Sequence, residues 1–268
     1  MELITLDNFP ASILGLAGNQ SMEERIIQNA FAAGINYFFF YNLSFESLLS
    51  GLKPLLEKQR EKILIATGSE SRNQDELNQY LDRVRHRLDL DLVDVFFIEY
   101  VSPADDLAQI KSLLDELNTW KEKGLIRYVG VTVHNRAIAI KLIEDGQIDV
   151  LMHRYNMAHR KAEEDVLPAA KSADIPVIAF TCTRWGSLLK GHQDWQGTIP
   201  TAADCYRYAI ANSAVRMALT APQTSTQLDE NLQLLKNPEL SEVEKFLWQS
   251  YGDLIYGNGR DSFETEWL

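Results

Sequence analysis

Short apolar runs alternate along this chain with longer stretches in which apolar residues recur at helical spacing. Residues 61–100 show the pattern most clearly, with apolar runs at 63–66 and 93–98 on either side of a polar turn and a periodic stretch. The periodic positions between the two runs are Leu77, Leu81, Val84 and Leu88. Runs that are apolar at consecutive positions are typical of parallel strands buried on both faces, and the three-to-four spacing is typical of an amphipathic helix. The pattern therefore predicts a strand–helix–strand unit.

The same alternation continues to the end of the chain and predicts eight strands, at residues 13–16, 37–41, 63–66, 93–98, 128–133, 149–155, 176–181 and 215–219. Helices are predicted between them, including 25–33, 45–58, 137–144, 162–173, 201–212 and 227–235. Ser21 with Glu24 suggests a capping box before the first of these helices. A final helix is predicted over 241–256, followed by an aromatic tail with Phe263 and Trp267. The predicted fold class is α/β: a single (β/α)8 TIM barrel with a C-terminal helix and an aromatic tail.

Composition supports one domain over residues 1–268. No linker rich in proline, glycine or serine divides the chain, and its 46% of hydrophobic residues is ample for one large core. We therefore expect a single barrel rather than two small domains.

Charge and cysteine content exclude several classes of partner. The formal net charge of -12 argues against nucleic acid, whose phosphates the protein would repel. Cys182 and Cys205 show neither a CxxC motif nor metal-ligand spacing, so we expect no metal site and a reducing compartment. No signal-peptide pattern and no membrane-spanning apolar run is present, which predicts a cytoplasmic protein with no membrane partner.

Several phrases resemble the aldo/keto reductases, and the resemblance covers nearly the whole chain: GINYFFF, KILIATG, LDLDLVDVFFIEY, KEKGLIRYVGVTVH and RYNMAH. The resemblance implies a site at the carboxyl ends of the strands and a catalytic tetrad of Asp, Tyr, Lys and His. In this sequence those four positions fall on Phe39, Ser44, Gly68 and Glu99. Carbonyl reduction by the usual tetrad is therefore not expected.

The resemblance also implies a nicotinamide cofactor, NADP or NAD, with some of its usual contacts replaced. Candidate cofactor-binding residues are Thr132, His134, Asn156, Trp185, Gln223 and Asn231. The family's glutamine in strand six falls on Met152 or His153, and its cation for the 2′-phosphate of NADP, after strand eight, has no counterpart. The chain therefore lacks the cation that usually binds the 2′-phosphate, which removes the main basis for a preference for NADP.

Polar residues are dense at the predicted ends of strands six and seven. Arg154, His159, Arg160 and Arg184 would form an anion pocket there if they converge, because guanidinium groups suit carboxylates and phosphates. Glu99 would lie within that field as a buried general base or as its counter-charge. The candidate catalytic residues are therefore Glu99, Arg154 and His159. The competing interpretation is that these arginines pair with nearby carboxylates (Glu163, Glu164 and Asp165).

Two classes of function follow from this sequence. The first is an atypical NAD(P)(H)-linked oxidoreductase that acts on a small anionic substrate through a redesigned rim. The second is a catalytically inactive family member that binds a nucleotide or a protein partner as a regulator. The first predicts an accessible cavity on which Arg154, His159 and Arg184 converge without tight internal ion pairs. The second predicts that Phe39, Phe45 and Trp185 plug the barrel mouth.

Overall fold

Eight parallel strands pair in chain order in the computed structural model, which describes residues 1–257, and the last strand closes against the first. The strands are β1 (Leu14–Ala17), β2 (Tyr37–Phe40), β3 (Leu64–Ser69), β4 (Val93–Val101), β5 (Ile126–Val133), β6 (Val150–Arg154), β7 (Val177–Phe180) and β8 (Val215–Thr220). Leu16 pairs with Phe38 of β2 on one side and with Thr220 of β8 on the other. The predicted (β/α)8 barrel is confirmed.

The helices lie between the strands and after the last one. They are α1 (Arg25–Ala32), α2 (Glu46–Gln59), α3 (Gln74–Leu88), α4 (Leu107–Glu122), α5 (Arg136–Glu144), α6 (Val166–Ser172), α7 (Ala202–Ile210), α8 (Ser225–Asn231), α9 (Gln233–Lys236) and α10 (Glu242–Tyr256). No helix within residues 1–257 is long and apolar enough to cross a membrane. The predicted aromatic tail, with Phe263 and Trp267, lies outside the described residues.

Two local predictions were wrong. The capping box of Ser21 and Glu24 does not form: α1 has no side-chain cap, and the Ser21 amide donates to Asn19 Oδ1 instead. The predicted helix over 162–173 is divided into a 3-10 turn and α6 by Asp165. The backbone of Asp165 leaves the helical region (φ -145°, ψ -64°), and its side chain accepts the Val166 amide as a new cap.

The barrel interior is filled by inward-facing apolar side chains and is closed at the amino-terminal ends of the strands. A hairpin-like N-terminal segment (Ile4 bridging Pro10) lies there, and the buried Leu3 joins the interior cluster. Beside it the fully buried Asp94 pairs with Arg60 at 2.9 Å and with Arg127 at 3.0 Å. Because this end is closed, any site must lie at the opposite end, as barrel architecture predicts.

The C-terminal helix α10 packs against the loops that follow β6 and β7. Gly252 allows this close approach, since a Cβ there would overlap the Met157 carbonyl group. Tyr251 on the same face donates its hydroxyl proton to the Leu188 carbonyl oxygen at 2.8 Å. The helix therefore holds the segments that carry the predicted rim residues.

Candidate functional site

A cavity of about 1140 Å³ lies at the carboxyl ends of the strands, slightly larger than the roughly 300–1,000 Å³ of most small-molecule pockets. Strand ends and following loops from around the barrel contribute to its lining. Phe39 and Trp185 line it, whereas Phe45 is buried beneath the Tyr41 ring at a centroid distance of 5.2 Å. The predicted plug of three aromatic residues is therefore not formed by these side chains.

The floor of the cavity carries the carboxyl group of Glu99, which is 1% exposed. Thr132 Oγ1 donates to Glu99 Oε2 at 2.6 Å, whereas Glu99 Oε1 has no hydrogen-bond partner among the described residues. Burial raises the pKa of Glu99 to about 8; the Thr132 hydrogen bond and the charge of Arg72 oppose this rise, and the charge of Glu70 adds to it. At neutral pH the carboxyl group is therefore mostly protonated.

Gly68 on β3 makes room for that carboxyl group. A Cβ at this position would overlap Glu99 Oε1 and would lie 2.7 Å from the Phe97 carbonyl oxygen. The two positions that the family resemblance assigned to a lysine and a histidine are thus in direct contact here as a glycine and a glutamate.

A β-bulge brings Tyr100 into the same cavity as Glu99. Between the pairs of Ile98 with Val131 and of Val101 with Val133, β4 contains one residue more than β5. Tyr100 has a left-handed backbone (φ 52°), and its ring stacks on His134 at a centroid distance of 5.9 Å. Bulges of this kind often re-aim side chains near functional sites.

Arg72, in the loop after β3, holds the backbone of this bulge. Its Nη2 donates to the carbonyl oxygens of Glu99 at 3.0 Å and Tyr100 at 3.2 Å. Asp105 binds the same guanidinium group through both carboxylate oxygens, at 2.7 and 3.1 Å. Arg72, Tyr100 and Asp105 line the cavity, yet the sequence did not single them out. One available signal was the polar segment SESRNQD at residues 69–75, where a lone arginine follows a strand end.

Most of the predicted site residues line the cavity: Glu99, Thr132, His134, Arg154, Trp185, Gln223 and Asn231. His159 and Asn156 are not part of this lining. Asn156 instead joins the loops that follow β6 and β7. It donates to the Thr181 carbonyl oxygen and accepts hydrogen bonds from the backbone amides of Ala158 and His159. His159 is buried, and its ring packs on Tyr256 of α10 at 5.4 Å.

The predicted anion pocket of four basic residues does not assemble as expected. Arg160 pairs with Asp253 of α10, and Arg184 donates to the Ile255 carbonyl oxygen near the C-terminus of the same helix. Of the four, Arg154 lines the cavity. The local carboxylates that the sequence offered as partners have other contacts, since Asp165 pairs with Arg136 at 2.6 Å.

Two histidines near the floor are neutral at pH 7. Burial, and then the charge of Arg154, lowers the pKa of His134 to about 3. Burial also lowers the pKa of His153 to about 4, against the opposing hydrogen bond with the Val133 carbonyl oxygen at 2.7 Å. No group of His, Cys, Asp and Glu side chains within residues 1–257 is arranged to hold a metal ion.

The end of the cavity near β8 offers uncharged hydrogen-bonding groups. Asn231 and Tyr206 both donate to Thr220 Oγ1, at 2.7 and 2.9 Å, and Gln227 accepts the Gln223 amide at 2.7 Å. The charged side chain in this part of the lining is the carboxylate of Glu230. The half-exposed indole of Trp185 also lines the cavity. A 2′-phosphate is usually bound by a cation, and the lining near β8 has a carboxylate instead.

Comparison with known proteins agrees with this architecture. The family model described as the aldo/keto reductase family matches residues 15–198. The NADH-specific methylglyoxal reductase of Escherichia coli (strain K12) is 24% identical over 102 residues, a match that spans 38% of this chain and 31% of that relative's length.

Solved structures resemble nearly the whole chain. The holo form of the aldo-keto reductase AKR11C1 from Bacillus halodurans superposes with a TM-score of 0.76 at 17% identity, covering 95% of this chain and 97% of that one. Its apo form gives 0.75 at 18% identity, covering 96% and 98%. At this level of identity the structural likeness shows the fold. Because the family model matches more than half of the chain, this protein belongs to the aldo/keto reductase family.

Proposed function

We propose that this protein is a nicotinamide-dependent reductase of small carbonyl compounds in which Glu99, rather than a tyrosine, supplies the proton. The observation that carries the proposal is the buried Glu99 carboxyl group, whose Oε1 has no partner among the described residues and which lines the cavity floor. The family generally binds NAD(P)(H).

The hydrogen bond with Thr132 involves Glu99 Oε2 and leaves Oε1 without a partner among the described residues. When Thr132 Oγ1 donates to Oε2, the carboxylic proton lies on Oε1. An O–H group on Oε1, which is buried beside Gly68, can donate to the oxygen of a carbonyl compound that reaches the floor of the cavity. Reducing a carbonyl requires a hydride at carbon and a proton at oxygen; the nicotinamide supplies the hydride when bound, and Glu99 supplies the proton.

The surroundings of Glu99 suit a proton donor because they also stabilise the carboxylate that remains after proton transfer. After transfer, the carboxylate keeps the Thr132 hydrogen bond and lies in the field of the Arg72 guanidinium group. Phe39 and Met152 contribute apolar side chains to the lining of the same cavity. A pKa of about 8 keeps the donor protonated at neutral pH and still able to release its proton.

The substrate class that we propose is a small 2-oxo compound, either a dicarbonyl or a 2-oxo acid. Arg154 lines the same cavity as Glu99 and would bind the second oxygen or the carboxylate. The small anionic substrate expected from the sequence corresponds to the 2-oxo acids of this class. The E. coli relative is described as a methylglyoxal reductase, and methylglyoxal is a neutral member.

The test compares the parent protein with Glu99→Gln. We expect the parent to oxidise NADH in the presence of methylglyoxal or glyoxylate, as followed by absorbance at the reduced-nicotinamide band. Glu99→Gln should lose about 100-fold or more in turnover, the scale of general-acid catalysis, while retaining its NADH affinity. Glu57→Gln, at an exposed carboxyl group on α2, is the matched control and should behave as the parent. Full activity in Glu99→Gln would exclude Glu99 as the donor.

The same experiment decides the alternative of an inactive binding protein. Nucleotide binding without turnover on either substrate would favour that alternative. Glyoxylate and methylglyoxal both carry an aldehyde, and they differ in whether a carboxylate or an acetyl group is attached to it. A preference for glyoxylate that disappears in Arg154→Gln would assign the anionic form of the substrate to Arg154.

A further inference from the structure

We propose that Arg72 is a positioning residue of this site, and that its guanidinium group pins the Glu99–Tyr100 bulge so that both side chains face the cavity. This inference rests on the role proposed for Glu99. The hydrogen bonds and the ion pair that support this inference are formed within the chain and need no bound ligand.

The first step concerns the direction of the side chains on β4. Successive residues of a strand point to opposite faces, so a regular β4 would turn Tyr100 away from the face that carries Glu99. The extra residue between Ile98 and Val101 breaks this alternation. As a result Glu99 and Tyr100 both line the cavity, and Val101 returns to the outer core with Ile98.

The second step concerns what holds the bulge. Bulged residues lose part of the regular ladder, and Tyr100 has a left-handed backbone that a tyrosine rarely adopts (φ 52°). Arg72 Nη2 donates to the carbonyl oxygens of both bulge residues, Glu99 and Tyr100. One guanidinium group therefore compensates for the backbone bonds that the bulge disrupts.

The third step concerns what holds Arg72. Asp105 receives its Nε and Nη2 at 2.7 and 3.1 Å, and the Glu70 carbonyl oxygen receives its Nη1 at 2.9 Å. Asp105 is fixed in turn by the Ser102 amide at 2.7 Å. Hydrogen bonds to Arg72 and Ser102 hold the pKa of Asp105 below its usual range despite its burial. The loop after β3 and the loop after β4 are thus joined through this ion pair.

Arg72 also sets part of the electrostatic field at Glu99. Its positive charge opposes the effect of burial, and the Glu70 carboxylate adds to that effect. Four tyrosines of the described chain face this carboxyl group closely enough for its negative charge to raise their pKa values, in addition to the effect of their own burial: Tyr37, Tyr41, Tyr80 and Tyr100. Removing the Arg72 charge should therefore raise the pKa of Glu99 further, whereas replacing arginine by lysine should preserve most of the charge and lose the forked contacts.

The experiment uses Arg72→Lys, Arg72→Gln and Asp105→Asn in the full chain without ligand. The Glu99 carboxyl group is titrated by ¹³C NMR in glutamate-labelled protein, with the signal assigned by its absence in Glu99→Gln. The His134 ring proton, which lies beside the Tyr100 ring, reports the position of the bulge. Arg87→Lys is the control, since Arg87 forms an exposed ion pair with Glu46 on α2.

We expect all three site variants to shift the His134 resonance, and Arg72→Gln to raise the Glu99 titration midpoint as well. Asp105→Asn should give the smallest shift because it keeps the guanidinium group. Reductase turnover should fall about tenfold or more in Arg72→Lys, because a displaced acid is poorly aimed at the substrate. Arg87→Lys should change none of these quantities.

The outcomes separate this inference from the proposed function. If folded Arg72→Lys and Arg72→Gln both keep the His134 resonance and the Glu99 midpoint of the parent, Arg72 does not position the bulge. If the resonances shift but Glu99→Gln remains fully active, the positioning role stands and the role of Glu99 as proton donor fails.

Discussion

The buried carboxyl group of Glu99 should make the stability of the protein depend on pH in a predictable way. In the unfolded chain its pKa has the ordinary value of 4.5, and in the folded protein burial raises the pKa to about 8. Between these two values the folded state holds a proton that the unfolded state has released. The free energy of unfolding therefore falls as pH rises through this interval.

The magnitude follows from the two pKa values. Each pH unit between them lowers the free energy of unfolding by about 1.4 kcal/mol, so the whole interval is worth about 5 kcal/mol. The contribution of Glu99 is fully present below pH 4.5 and is lost by pH 8. Glu99→Gln is neutral at every pH and should lack this dependence, so its stability relative to the parent should rise with pH.

The assay is urea unfolding of the parent, Glu99→Gln and the exposed control Glu57→Gln at half-unit steps from pH 5 to pH 8, followed by circular dichroism. The quantity of interest is the difference in unfolding free energy between each variant and the parent, because other titrating groups cancel in it. A difference for Glu99→Gln that stays within about 0.5 kcal/mol across this range would show that Glu99 ionises normally in the folded protein. Glu57→Gln should give a constant difference.

Three further predictions concern the barrel and its ligand. Gly68→Ala should displace the Glu99 carboxyl group and destabilise the protein by about 1–3 kcal/mol in urea unfolding, because the added Cβ also meets a backbone carbonyl oxygen that cannot easily move. Asp94→Ala should cost about 3–5 kcal/mol by the same measurement, since it leaves Arg60 and Arg127 without their shared carboxylate at the closed end of the barrel. In fluorescence titrations NADH should bind more tightly than NADPH, because a 2′-phosphate would meet carboxylate rather than cation near β8; tighter binding of NADPH would contradict this account of the donor set.

The strands could be predicted from the sequence because parallel strands buried on both faces are apolar at consecutive positions. Each predicted strand overlaps an observed one, and the last helix begins within one residue of the predicted start, with Ser241 as its cap. The capping box at Ser21 failed because α1 begins at Arg25, so that Ser21 lies ahead of the cap position and its amide donates to Asn19 Oδ1 within the preceding turn. A local motif gives way when the turn around it supplies a better partner.

The site was harder to predict than the fold, and the bulge on β4 shows why. Glu99 stood out because it occupies the position of the family's histidine, directly after the apolar run 93–98. Nothing in the residues around Tyr100 indicates an extra residue in the ladder, since tyrosine does not favour a left-handed backbone. Arg184 failed for a related reason: its guanidinium group binds a carbonyl oxygen of α10, 71 positions away, and that contact exists only in the folded chain.

Gly68 and Glu99 form one arrangement rather than two separate replacements. The glutamate carboxyl group occupies the space that any side chain at position 68 would need, so glycine is required wherever this carboxyl group stays buried. The absence of a cation at position 68 in turn leaves burial as the dominant influence on Glu99 and keeps its proton in place at neutral pH. A lysine beside the same carboxyl group would favour the ionised form and remove the proton that reduction requires. The loss of the usual lysine is therefore a condition for the chemistry proposed here, and it is not by itself evidence that the protein is inactive.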